Sequence, residues 1–372
     1  MAFKITDNFV SNSSTLLVDN LSQTSGIIIQ TSSLQYFGLR LCLSDKHLLT
    51  IGGNFAVGQT PRYILWNDSI DPGSYSGSYY SIFAPSSEEN PYWAETNRNN
   101  SVIYKDKVII GSIGYSGFAG RVLIYDTYGT LTNTITAWGG PVGYESFGLA
   151  IAAGSDRILI ASNGTNYEGA VYGYDLNGGF LFKLTQPNTN FFGNKIAIGN
   201  GRIVISDNNN YIYIYNLDGT IINTIANQSS TAISINSGVI VIRDSWPAGF
   251  TIYDLNGKKL RTFINSTSSS SWGSDITVSR GNIIVNDPTG DSFYGAIHIY
   301  DLNNNLLQTL GRETIGLNDS THQFSSSMSV SNGKIVASTS SSWNDPYRKI
   351  ILHDLPNNTI NSYYENLFEK LI

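Results

Sequence analysis

Tyr211-Ile212-Tyr213-Ile214-Tyr215-Asn216-Leu217-Asp218-Gly219 is the stretch that decides the fold. Its tyrosines and isoleucines alternate strictly, a period of two that suits a strand and no helix. The strand ends on an aromatic residue, an amide follows, and a glycine turn opens behind it. The same ending recurs at Trp66-Asn67, Tyr125-Asp126, Tyr174-Asp175, Tyr253-Asp254, Tyr300-Asp301 and, with an imidazole in the aromatic place, His353-Asp354. Successive copies stand 38 to 59 residues apart. Repeats of this length built from short strands imply an all-β chain, a β-propeller.

Aligning two units gives the repeat. Each opens with Phe-Gly (Phe147-Gly148, Phe192-Gly193) and a short strand, then a tight polar turn and an apolar run, Ile158-Leu159-Ile160 or Ile203-Val204-Ile205. A variable loop leads to the third strand with its aromatic–acid ending. Asn177-Gly178 or Asp218-Gly219 then turns into a fourth strand. Such turn residues supply the positive φ of a tight hairpin. Trp272-Gly273 and Phe324-Ser325 stand for Phe-Gly in later units. The expectation is seven blades of four antiparallel strands over residues 15–364. Residues 1–14 form an N-terminal segment for attachment or closure, and 365–372 a short helix or tail, with helical spacing from Tyr364 to Leu371. Thr359–Tyr363 is expected as the last blade's fourth strand. The alternative is an eighth blade made of Phe3–Thr6, Thr15–Asp19 and Gly26–Thr31.

Composition narrows the function. Only 13% of the 372 residues are charged, the net charge is −6, and no basic cluster appears. Nucleic acid is an unfavourable partner for such a chain, because phosphate neutralisation needs grouped Lys and Arg. Cys42, the only cysteine, rules out an internal disulfide framework. The opening residues lack the apolar stretch of a signal peptide, and no later segment has the length and apolarity to insert in a membrane.

Motifs for chemistry are sparse. The four histidines, His47, His298, His322 and His353, have no metal-ligand spacing, so neither metal nor cofactor is expected. Asp207, Asp244 and Asp287 each follow a second strand, at matching places on one rim. Converging carboxylates could hold calcium or serve as an acid–base pair, or each could start its loop by bonding its own backbone. Both readings stand at this level.

The loops say more. First-to-second and third-to-fourth connections are short, whereas those on the opposite face are long. The long ones carry Tyr115, Phe118, Trp138, Tyr167, Trp246, Phe293, Tyr294, Trp343 and Tyr347 beside Asn and Asp. Aromatic faces beside amides suit sugar rings, which offer C–H faces and hydroxyls. The competing reading is that these rings cover their own blades.

The Phe-Gly openings resemble the FG-GAP type of propeller repeat. The Gly-Ala-Pro of that family and its acidic calcium loop are missing here, so calcium binding does not carry over. Met1-Ala2-Phe3-Lys4-Ile5, with Asn12-Ser13-Ser14 and Val18-Asp19-Asn20-Leu21, is similar to the start of structural proteins of tailed cyanophages. The resemblance implies a virion protein, made in the host cytoplasm and placed in a tail fibre, spike or baseplate. Its expected partners are other virion proteins and a host-surface glycan. A polysaccharide-cleaving enzyme using the acidic rim, and a purely structural decoration, are the rival readings.

Overall fold

Alternation along each repeat is realised as antiparallel sheet. The computed structural model describes residues 3–7, 14–20, 27–31, 40–44, 47–52, 62–67, 79–82, 100–137, 145–164, 167–228, 230, 232–244, 248–265, 272–290, 294–311, 323–331, 333–340 and 349–355. Six sheets have four strands each. Blade 1 begins at Arg40–Leu43, blade 2 at Ser101–Tyr104, blade 3 at Ile151–Gly154, blade 4 at Lys195–Gly199, blade 5 at Ala232–Asn236 and blade 6 at Ile276–Ser279. Within each, strands pair in chain order from the centre outward.

The expectation of seven blades of four strands is corrected: six blades have four strands, and the remaining sheet departs from the pattern. It has six strands: Gln323–Ser331, Lys334–Ser340 and Lys349–Asp354, followed outward by Ile27–Thr31, Ser14–Asn20 and Phe3–Asp7. Ile27–Thr31 thus takes a fourth strand's place by pairing antiparallel with Lys349–Asp354, Ile28 opposite Ile351. The N-terminal strands build no eighth blade. They join the first and last parts of the chain in one sheet, so the ladder itself holds the ring shut. The expected strand Thr359–Tyr363 and helix 364–371 lie outside the described residues.

First strands of successive sheets pack side by side, and that of the closing sheet meets blade 1. There the Leu43 amide donates to Ser329 Oγ at 3.0 Å. Together they surround a central channel of about 400 Å³, walled by small and aliphatic residues such as Cys42, Val102, Ala152, Ile196, Ile233 and Thr277.

The core lies between blades, which explains the two faces of the founding strand. Tyr213 and Tyr215 of blade 4 pack with Leu159, Ala161 and Val171 of blade 3. Ile212 and Ile214 pack the other way, with Ile240 and Ile242 of blade 5. Tyr215 is 3% exposed and Tyr300 5%. Tyr300 meets Phe263 and Phe250 of the neighbouring blade, at ring separations of 4.9 and 5.7 Å. Burial accordingly pushes the Tyr300 phenol up to about 12, with help from the charge of Asp287.

In blades 2, 3, 5 and 6 the acid behind the aromatic is a turn cap. Asp126 Oδ1 accepts the amides of Tyr128 (2.9 Å) and Thr130 (2.8 Å). Asp175, Asp254 and Asp301 do the same two and four residues on. The fourth turn residue is left-handed, Gly178 at φ 85° and Asn304 at 72°, and the ladder shifts register at the aromatic itself. This is a hairpin with a glycine-type bulge. The recurring pair is therefore an architectural signature.

Candidate functional site

Phe-Gly builds a frame at the junctions between blades. Phe147 and Phe192 are fully buried and donate their amides to Ala119 O (3.0 Å) and Glu168 O (2.9 Å) of the preceding blade. Next to those acceptors stand Gly120 (φ 80°) and Gly169 (φ 82°). A Cβ on either glycine would lie 2.2 Å from the carbonyl oxygen of the Phe. Gly295 faces Phe324 in the same way, at 2.0 Å. The contact is so close that only glycine fits.

One residue outward, the frame carries side chains to the loop face. At the junction of blades 3 and 4 the Phe191 amide donates to Tyr167 O at 2.7 Å, and the Asn208 amide to Asn190 O at 2.8 Å. Asn209 Nδ2 donates to Asn188 O at 3.0 Å. Thr189, buried, donates to the carbonyls of Gln186 and Glu168 and so pins the loop between blades. The result is a surface where Tyr167, 61% exposed, leans on Phe191 with ring centroids 5.4 Å apart. Exposed Asn188, Asn190, Asn208 and Asn209 stand on the loops so joined, and exposed Asn210 and Tyr211 follow along the same turn. Tyr167, Asn188, Phe191 and Asn210 all have positive φ, between 56° and 66°. For the two aromatic residues that conformation is costly, and it recurs at Phe118 and Ser146 of the preceding junction, so it belongs to the shared frame.

The rim aspartates resolve into a repeated pattern. Asp207 Oδ1 accepts the amides of Asn209 and Tyr211, both at 2.9 Å, and Oδ2 accepts Tyr213 Oη–H at 3.0 Å. Burial, reinforced by that bond, pushes the Tyr213 phenol up. Asp244 accepts from Gln228 Nε2 on one oxygen and Thr251 Oγ1 (3.0 Å) on the other. Burial pushes its carboxyl up, against the pull of those donors. Asp287 Oδ1 accepts the Thr289 amide (3.3 Å) and hydroxyl (3.2 Å), and Oδ2 lies 3.5 Å from His298 Nε2. There burial is outweighed by His298 and Thr289, which hold the carboxyl below its usual range. Asp207 and Asp287 thus serve their own loop and one third-strand side chain, whereas Asp244 serves Gln228 of the segment entering its blade and Thr251 of the third strand. None of these contacts joins two of the three carboxylates. Among the described residues no group of His, Cys, Asp and Glu is arranged to hold a metal ion.

The other sequence-predicted rings scatter. Tyr115 is half-buried, with the Arg121 guanidinium 4.1 Å above its ring. Phe118 is half-buried at the junction of blades 2 and 3, and Tyr294 lends its carbonyl to the Phe324 amide at 2.6 Å. Trp138, Trp246, Phe293, Trp343 and Tyr347 lie outside the described residues. Sequence reasoning named Tyr167 and missed Phe191, Tyr211 and the five asparagines. A signal was there: a second aromatic before Phe192-Gly193 and the run Asn208-Asn209-Asn210.

Solved structures share this architecture. The chain is a β-propeller. BamB from Moraxella catarrhalis superposes with a TM-score of 0.50 at 11% identity, over 96% of this chain and 99% of that one. The WD40 β-propeller domain of Doa1 gives 0.53 at 13% identity, over 86% and 92%. Identities this low carry the propeller fold alone. No family model matches the chain, and no curated protein does. Among the described residues no helix is long and apolar enough to cross a membrane.

Proposed function

We propose that this chain is a binding propeller of a virion, part of a tail fibre, spike or baseplate. Its loop face engages a host-surface glycan or a neighbouring virion protein. The observation that carries the binding role is the exposed Tyr167, leaning on the half-buried Phe191 beside asparagine amides on a hydrogen-bonded frame. Loops presented by a stiff scaffold are where binding residues concentrate. The virion setting rests on the similarity of the opening residues to cyanophage structural proteins and on the weakly charged, amide-rich composition.

The enzymatic reading is the weaker one. Both oxygens of Asp207, Asp244 and Asp287 are engaged by donors of their own blade or the loop entering it, so a substrate would have to displace those bonds. Two measurements test the proposal. Mass spectrometry of purified phage particles should find this chain, and its absence from them would remove the virion role. Incubation of the isolated chain with polysaccharides should release no reducing ends. Release that is lost in Asp207→Asn or Asp244→Asn would instead restore the enzyme.

A further inference from the structure

Building on the binding role just proposed, we infer that the junction of blades 3 and 4 is a subsite for an uncharged sugar ring. Exposure separates Tyr167 from the packing tyrosines. A tyrosine that only filled a gap between blades would be covered, as Tyr215 is at 3%. Tyr167 leaves most of its ring in water, and Phe191 backs it from one side. The available face is a flat apolar plate of about the size of one pyranose, edged by a phenol hydroxyl. Such amphipathic rings favour ligands with one apolar and one polar aspect.

The hydrogen-bonding groups around the plate fit hydroxyls. The exposed Asn188, Asn190, Asn208 and Asn209 side chains combine donors and acceptors on one group, as a sugar hydroxyl does. The Asn208 backbone amide donates to Asn190 O and the Asn209 side-chain amide to Asn188 O, so the two loops are tied together and ligand binding would not have to order them. Thr189 and the Asp207 cap hold both loops from beneath.

Charge selects the class. Tyr167, Glu168, Asn188, Asn190, Phe191 and the 207–211 turn contain no Lys or Arg, and the exposed Glu168 is acidic. Carboxylated, sulfated or phosphorylated sugars would meet an acid with no cation to pair them. A neutral hexose or pentose unit meets no such penalty.

Affinity electrophoresis of the full chain tests this, in native gels containing laminarin, mannan or xylan as neutral probes, and alginate or chondroitin sulfate as acidic ones. The expected result is retardation by at least one neutral polysaccharide. Tyr167→Ala should weaken it about tenfold, equivalent to ~1.4 kcal/mol, while Tyr167→Phe should keep most of it. Tyr167→Asn removes the ring with a residue suited to the left-handed backbone, and it should behave like Tyr167→Ala if the ring itself is the plate. Retardation by the acidic probes alone would overturn the neutral class while leaving glycan binding in place. Unchanged retardation of both ring-removing variants would overturn the subsite and leave the loop-face reading standing. No retardation by any probe would overturn the inference together with the glycan branch of the proposed function.

Discussion

Two blade junctions share one backbone and differ in what they display. Between blades 2 and 3, the Ser146 amide donates to Phe118 O at 2.7 Å and the Asn163 amide to Glu145 O at 2.9 Å. Between blades 3 and 4 the same two bonds run from Phe191 to Tyr167 and from Asn208 to Asn190, at 2.7 and 2.8 Å. The left-handed residues correspond as well, Phe118 and Ser146 with Tyr167 and Phe191. At the first junction a serine faces a half-buried phenylalanine, and Arg121 lies over Tyr115 nearby. At the second, two aromatics meet and one is left in water. The backbone frame is thus architecture, and the side chains placed on it are where function can differ.

The largest effects belong to the buried rings that the two junctions have in common. Phe147→Ala and Phe192→Ala each remove a fully buried ring that meets a third-strand tyrosine edge-on, at 5.4 Å from Tyr172 and 5.3 Å from Tyr213. Each should cost about 3–5 kcal/mol in urea unfolding, and similarly at both junctions. Gly120→Ala and Gly169→Ala come next, at about 2–3 kcal/mol, because the new Cβ would strike a carbonyl oxygen. A harmless change at either glycine would show that its junction is not packed as described.

A third expectation applies the same logic to the closing sheet, where His353 fills the aromatic place of the repeat. Burial lowers the pKa of its imidazole, and the nearby Asp354 only partly offsets this. Protonation is then easier in the unfolded chain, near pH 6.5, than in the folded one. The stability associated with a neutral His353 is therefore full above that pH and falls as pH drops through the lower folded value. His353→Tyr should flatten the fall in melting temperature between pH 7 and pH 5. An unchanged pH profile would mean that the ring is not buried uncharged. The smallest effect belongs to Tyr167→Ala, which should leave unfolding free energy within about 0.5 kcal/mol of the parent.

Much of this was legible in sequence because it is local. The Tyr-Ile alternation, the aromatic–acid endings and the turn glycines each act within a few residues, and the structure uses them as read. Closure was only half legible. Three N-terminal strands were visible, but their place depends on pairing Ile28 with Ile351, which no local pattern encodes. The rim aspartates were found as a set, yet their partners Tyr213, Thr251 and His298 sit on a different strand, visible only once the blade is folded. Tyr167 was singled out for being an aromatic residue in a long loop. Phe191, by contrast, stands just ahead of the Phe192-Gly193 opening, and only the junction hydrogen bond brings it to Tyr167.

If the junction of blades 3 and 4 displays a binding surface on a frame used elsewhere for packing, ligand contacts will map to that junction alone. Backbone amide resonances of the full chain would be followed by NMR during titration with a soluble oligosaccharide of the neutral polysaccharide that retards it. The expected shifts cluster at 167–168, 188–191 and 207–211, with the matching amides at 118 and 145–147 unmoved. Shifts centred on that second junction, on the third-to-fourth-strand turns of the opposite face, or nowhere would contradict the account.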